Sequence, residues 1–130
     1  MIASLDTNII VRLFISDNAR QSQLADSCLE RYDQLNLSDL AIIEAVFVLV
    51  KHYGLSRETA VHSMLQLLNH PKIVSNKALF KQALPHYASH PALSVEDCCL
   101  AVYAQLNNAA PLLTFDKKLA NQLPHTDLLA

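Results

Sequence analysis

The sequence predicts an α/β fold of three layers, α/β/α, around a central, mostly parallel sheet of four to five short strands. Four stretches share one pattern, a short apolar run, then a small polar residue, then a helical-looking segment. They are IASLDTN, LNLSDL, KIVSNK and PLLTFDK. The segments between them have helical length and end at helix stops. Strands that alternate with helices pair in parallel and are covered on both faces. With 130 residues, 52% hydrophobic and 17% charged, the chain suits one globular domain, residues 1–130, around one core.

The elements follow in order. Ser, Thr, Asn and Asp cap helices because their side-chain oxygens accept from backbone N–H groups that lack helical partners. The first strand therefore stops at Asp6, and a helix begins in DTNIIVRLF. Helical patterning covers 19–34. The second strand lies in LNLSDL. Residues 39–53 form the next helix, stopped by Gly54, the chain's single glycine. Its segment LAIIEAVFVLV is rich in β-branched residues that also suit a strand, but its length and the preceding Ser38-Asp39 favour a helix. Ser56 caps a helix reaching about Asn69, with Pro71 just beyond. After the strand in KIVSNK, a helix covers 77–90 and stops at Pro91. Another covers 95–108, before Pro111. PLLTFDK supplies the fourth strand, 116–122 a short helix, and 126–129 a fifth strand.

Composition excludes several functions. One glycine rules out the P-loop and the dinucleotide fingerprint, which need several to let backbone approach phosphate. The formal net charge of −2 is wrong for a protein that holds nucleic acid by basic surface. If nucleic acid is bound, something other than bulk charge must hold its phosphates, and a divalent cation can do so. Cys28, Cys98 and Cys99 make a poor disulfide framework and read as reduced, small, apolar side chains. No signal peptide is evident, and no charge-poor stretch reaches the ~20 residues of a membrane-spanning helix. The expectation is a cytoplasmic protein with no membrane partner.

Four acids carry the chemistry. Glu44 is the only charged residue between Leu40 and Val50. An acid in such company needs an ion pair or a metal if it is buried. Asp97 sits in SVEDCCLAVYAQLNNAA, where the only other charge is Glu96. Ser94 and Asp97 also have capping-box spacing. Asp6 and Asp116 each follow a strand, where ligands collect in open parallel sheets. Carboxylates sharing one cleft would repel each other and take up protons. A hard ion, Mg²⁺ or Mn²⁺, removes that conflict and prefers carboxylate and water oxygens. His86 and His90 stand at zinc-binding spacing, but such a site wants three or four ligands and the sequence supplies no third nearby.

These motifs resemble the PIN-domain ribonucleases, and most closely the VapC-type toxins of bacterial toxin–antitoxin pairs. LDTNIIVRLF resembles the family's opening strand and helix, LAIIEAVFVL its glutamate segment, SVEDCCLAVYA its third acidic motif and PLLTFDKKLA its fourth. The resemblance implies an endoribonuclease that uses one or two Mg²⁺ or Mn²⁺ ions. It makes Asp6 and Asp97 the main ligands and Asp116 a direct or water-mediated one. Glu44 would orient the attacking water or take its proton. Thr7, Asn8 and Thr114 would hydrogen-bond these carboxylates. Arg12 and Lys117 are candidate RNA contacts, with pairing to an acid as the other role for Arg12. The resemblance also implies a homodimer and a cognate antitoxin. Cys98 and Cys99 depart from the alanine usual after the third acid, and NNAAP lacks the usual glycine, but neither change removes a ligand. The alternative is a non-catalytic PIN-like or receiver-like binding domain.

Overall fold

The computed structural model describes residues 1–130. It separates into two compact units, Met1–Lys77 and Ala78–Ala130.

In the first unit, β1 (Ile2–Ser4) leads to α1 (Thr7–Phe14) and α2 (Ala19–Arg31), then β2 (Gln34–Asn36), α3 (Asp39–Lys51), α4 (Arg57–Leu68) and β3 (Ile73–Val74). The strands form one parallel sheet in the order β1-β2-β3, with Ala3 opposite Leu35 and Leu35 opposite Ile73. The ladder runs past the strand ends: Leu5 N donates to Asn36 O at 3.0 Å, and Leu37 N to Val74 O at 2.9 Å. The helix expected over 19–34 stops at Arg31. Asp33 N donates instead to Met1 O, and Gln34 pairs with Ile2, so sheet pairing claims the last residues.

The ambiguous segment is a helix. Ala41, Ala45 and Leu49 with Ile42 and Val46 make one buried face at four-residue spacing, and α3 lays that face against α1 and α4. A strand would have sent alternate members of that set to opposite faces. Gly54 follows with φ +70°. A Cβ there would meet nothing within 4 Å, so backbone conformation and not space calls for glycine.

The second unit holds α5 (Lys77–Ser89, beginning at the boundary), α6 (Val95–Leu106), β4 (Leu112–Thr114), α7 (Lys117–Gln122) and β5 (Thr126–Leu128). β4 and β5 pair in parallel, with Leu113 opposite Asp127. All five strands therefore form where expected, hydrogen-bonded as a three-stranded and a two-stranded parallel sheet. Pro85 lies inside α5 on an exposed position. Its missing N–H falls on the solvent side, while Leu79, Phe80, Ala83, Leu84 and Tyr87 stay buried. His86 follows it, its ring centroid 5.7 Å from that of His90. Burial, and then the nearby His90, hold the His86 imidazole below its ordinary value of 6.5. No helix is long and apolar enough to cross a membrane.

Candidate metal-binding carboxylates

The first unit brings Asp6 and Glu44 to one cleft of about 360 Å³, which Ser4, Thr7, Ser38 and Leu40 also line. The local sequence explains each position. β1 ends at Ser4, and Asp6 turns the chain into α1 as its N-cap, with Oδ1 accepting from Ile9 N at 3.1 Å. Its Oδ2 accepts no hydrogen bond. Glu44 lies on the exposed side of α3, opposite the buried face. Thr7, the first residue of α1, donates from Oγ1 to Glu44 Oε2 at 3.1 Å and so ties the two helices together at the acid. No lysine, arginine or histidine lines this cleft.

The donor set suits a hard cation. It offers two carboxylates and neighbouring hydroxyls, all oxygen, with no soft ligand. The unit presents no third acid, cysteine or histidine beside them. Mg²⁺ retains several waters and is commonly held by only one or two carboxylates, so the pair is sufficient to fit it.

Asn8 makes no hydrogen bond to either carboxylate. It lines a different cleft, between α1 and α2. Arg12 pairs with Asp17, which was not among the candidate acids. It also donates from Nε to Gln21 Oε1 at 2.8 Å and from Nη1 to the Tyr53 hydroxyl at 3.0 Å. Tyr53 in turn donates to Asp17 Oδ2 at 3.2 Å. This closed network fixes the loop after α1 and leaves the Arg12 side chain only 16% exposed.

In the second unit, Asp97 completes a reciprocal capping box. Its Oδ2 accepts from Ser94 N at 3.1 Å, and its own N–H donates to Ser94 Oγ at 3.1 Å. The box leaves Oδ1 without a hydrogen bond. Ala101 and Ala104, the small residues spaced to flank Asp97, are buried in packing. Glu96 is exposed. Asp116 is the N-cap of α7, its Oδ1 accepting from Lys118 N at 2.9 Å and Leu119 N at 3.3 Å. Thr114 supports it through the backbone: its Oγ1 accepts from Asp116 N at 3.0 Å. Lys117 is exposed and in no ion pair. Cys98 and Cys99 are buried, Cys28 is half-buried, and none forms a disulfide.

The sequence marked Ser75 only as the small polar residue after a strand and singled out neither Ser4 nor Asn36. The structure lines a second cleft with them. The repeated strand-then-polar pattern was the signal available for that.

The family model for the PIN domain matches residues 3–122, a span that contains all four acids. No curated protein matches the chain. PIN domains are in general nucleases, and they typically use divalent metals. With an acid capping the helix after the first strand of a parallel sheet and the family model matched over residues 3–122 of the 130, the chain belongs to the PIN domain family.

Proposed function

We propose that the protein is a divalent-metal-dependent endoribonuclease, the VapC-type toxin of a toxin–antitoxin pair. The observation that carries the metal-dependent nuclease reading is the cleft shared by Asp6 and Glu44, with Thr7 holding the glutamate and no cation opposing the two charges. The toxin assignment rests on the motif resemblance, as do the homodimer, the antitoxin partner and the cytoplasmic location that go with it. The family match runs through both compact units, which supports one functional domain over 1–130.

In this reading Asp6 and Asp97 are the principal ligands of Mg²⁺ or Mn²⁺, with Asp116 as a further ligand, directly or through water. Bound there, the ion would polarise a phosphoryl oxygen and steady the departing 3′ oxygen. The chain supplies the rest. Asp6 keeps one carboxylate oxygen on the Ile9 amide and presents the other. Glu44, steadied by Thr7, orients the attacking water and accepts its proton. Asp116 is held by two amides of α7 and through its own amide by Thr114.

The test is cleavage of short single-stranded RNAs and total RNA with Mn²⁺, with Mg²⁺ and with EDTA. Wild type is compared with Asp6→Asn, Glu44→Gln, Asp97→Asn and Asp116→Asn. Asn preserves the capping acceptor at the three aspartates, so folding is spared. EDTA should stop cleavage. Loss of a ligand should cost at least about a hundredfold, beyond what a supporting residue costs. Asp6→Asn and Asp97→Asn proteins that cut like wild type would sink the assignment.

A further inference from the structure

Beside the Asp6–Glu44 cleft lies a second one, of about 400 Å³, at the carboxyl ends of all three strands of the first sheet. The two share Ser4, Leu5 and Ser38 in their walls, so they adjoin. We propose that this second cleft is a nucleoside subsite, which takes the base and ribose next to the phosphate being cut. The placement beside a scissile phosphate rests on the nuclease reading, whereas the capacity to bind a nucleoside does not.

The chemistry of the lining argues for the ligand. It contains no Lys, Arg, His, Asp or Glu, so it is built neither for phosphate nor for a metal. It contains no aromatic ring, so a base is not held by stacking. What it offers are hydroxyls and amides, from Ser4, Asn36, Ser38, Ser75 and Asn76, above the apolar Leu37 and Val74. Such groups both donate and accept, which suits base edges and the ribose 2′-hydroxyl. The volume is within the range of ligand pockets.

The hydrogen bonding shows unused capacity on the same wall. Gln34 Nε2 donates to Asn36 Oδ1 at 2.9 Å, which orients the Asn36 amide and leaves its NH₂ without an acceptor. Ser38 Oγ accepts from Ala41 N at 3.2 Å, which occupies a lone pair and not the hydroxyl proton. Ser75 Oγ is buried and has no hydrogen-bond partner at all. Native structures seldom keep such an orphan without a reason. No hydrogen bond holds its χ1 rotamer, and the residue lines the cleft. The sheet builds this wall by repetition. Ser4 and Asn36 are partners at the ends of β1 and β2, and on β3 the polar residue, Ser75, comes one position beyond Val74, the partner of Asn36.

The test uses the full chain and two readouts. The first is RNA cleavage in Mn²⁺, with one nucleotide varied at a time around the cut. The second is amide chemical shifts on titration with adenosine, guanosine, cytidine and uridine, which carry no charge to repel the acids. Ser75→Ala should raise KM about fivefold, the worth of one hydrogen bond. Asn36→Asp keeps the Gln34 contact, replaces a donor by an acceptor, and should change which base is preferred at one flanking position. The nucleosides should shift Ser4, Asn36, Ser38 and Ser75 amides in wild type, and less so in Ser75→Ala. A purely structural Ser75 predicts unchanged KM and base preference. If wild type cuts RNA, and both variants keep its KM and its preference, the subsite is refuted while the nuclease stands. If wild type cuts nothing yet these amides shift, the nucleoside site stands and the nuclease reading fails. Silence in both readouts overturns both.

Discussion

Removing the Thr7 hydroxyl should disturb the chemistry more than the fold. Thr7→Val keeps the shape and the β-branch and deletes one hydrogen bond, from Oγ1 to Glu44 Oε2 at 3.1 Å. A hydrogen bond to an ionised group is worth about 1.5–3 kcal/mol when shielded. Here Glu44 is exposed and water competes for it, which reduces the value to about 1 kcal/mol. That is about a fivefold factor at 25 °C. Urea unfolding of wild type, Thr7→Val, Glu44→Ala and the double variant gives the coupling directly. About 1 kcal/mol is expected, above the roughly 0.3–0.5 kcal/mol scatter of independent sites. Cleavage assays give the second arm: Thr7→Val should lower kcat/KM about fivefold or more, and Thr7→Ser, which retains the hydroxyl, should recover most of it. A coupling near zero would show that the bond does no steering. Equal losses in Val and Ser variants would show that the methyl group, and not the hydroxyl, matters.

Ser94→Ala opens the capping box of α6 and should destabilise the protein by about 1 kcal/mol in urea unfolding, with no loss if the box is unimportant. Gly54→Ala should cost about 1 kcal/mol although the space is open, because φ +70° strains any residue with a Cβ. A neutral or stabilising result would mean the turn relaxes. His86 sets a pH dependence whose sign follows from its lowered pKa. Above 6.5 both folded and unfolded forms hold it neutral; below 6.5 the unfolded chain takes up a proton more readily, so stability falls with acidification. His86→Gln should flatten the stability curve between about pH 7 and 5, and parallel curves for the two proteins would contradict that origin.

Much of the architecture could be read from local chemistry. Asp6, Ser38, Ser56, Ser94 and Asp116 all cap the helices expected to begin beside them. This is legible because capping needs only a side-chain oxygen and the next few amides. The helical identity of 39–51 was legible from length and cap, in spite of its β-branched residues. Strand partners were not legible. The strands are two or three residues long, and so little sequence carries no register; only the ladder shows that Leu35 lies between Ala3 and Ile73. The partners of long polar side chains were equally hidden. Arg12 finds Asp17, Gln21 and Tyr53, groups that only the folded backbone brings within reach. Asn8 shows the limit of adjacency: next to Thr7 in sequence, it turns with the helix to another cleft.

Asp6, Asp97 and Asp116 each grip backbone amides at the start of a helix. The hold that begins the helix also restricts the carboxylate, so in the proposed metal-binding role these side chains would have less rotational freedom to surrender to a cation. In that role, an ion that departed would leave each acid still held by its amides, and recapture would depend on shedding water rather than on rearranging protein. Activity on this design should return as fast as metal is resupplied, with no slow refolding of the ligand side chains in between.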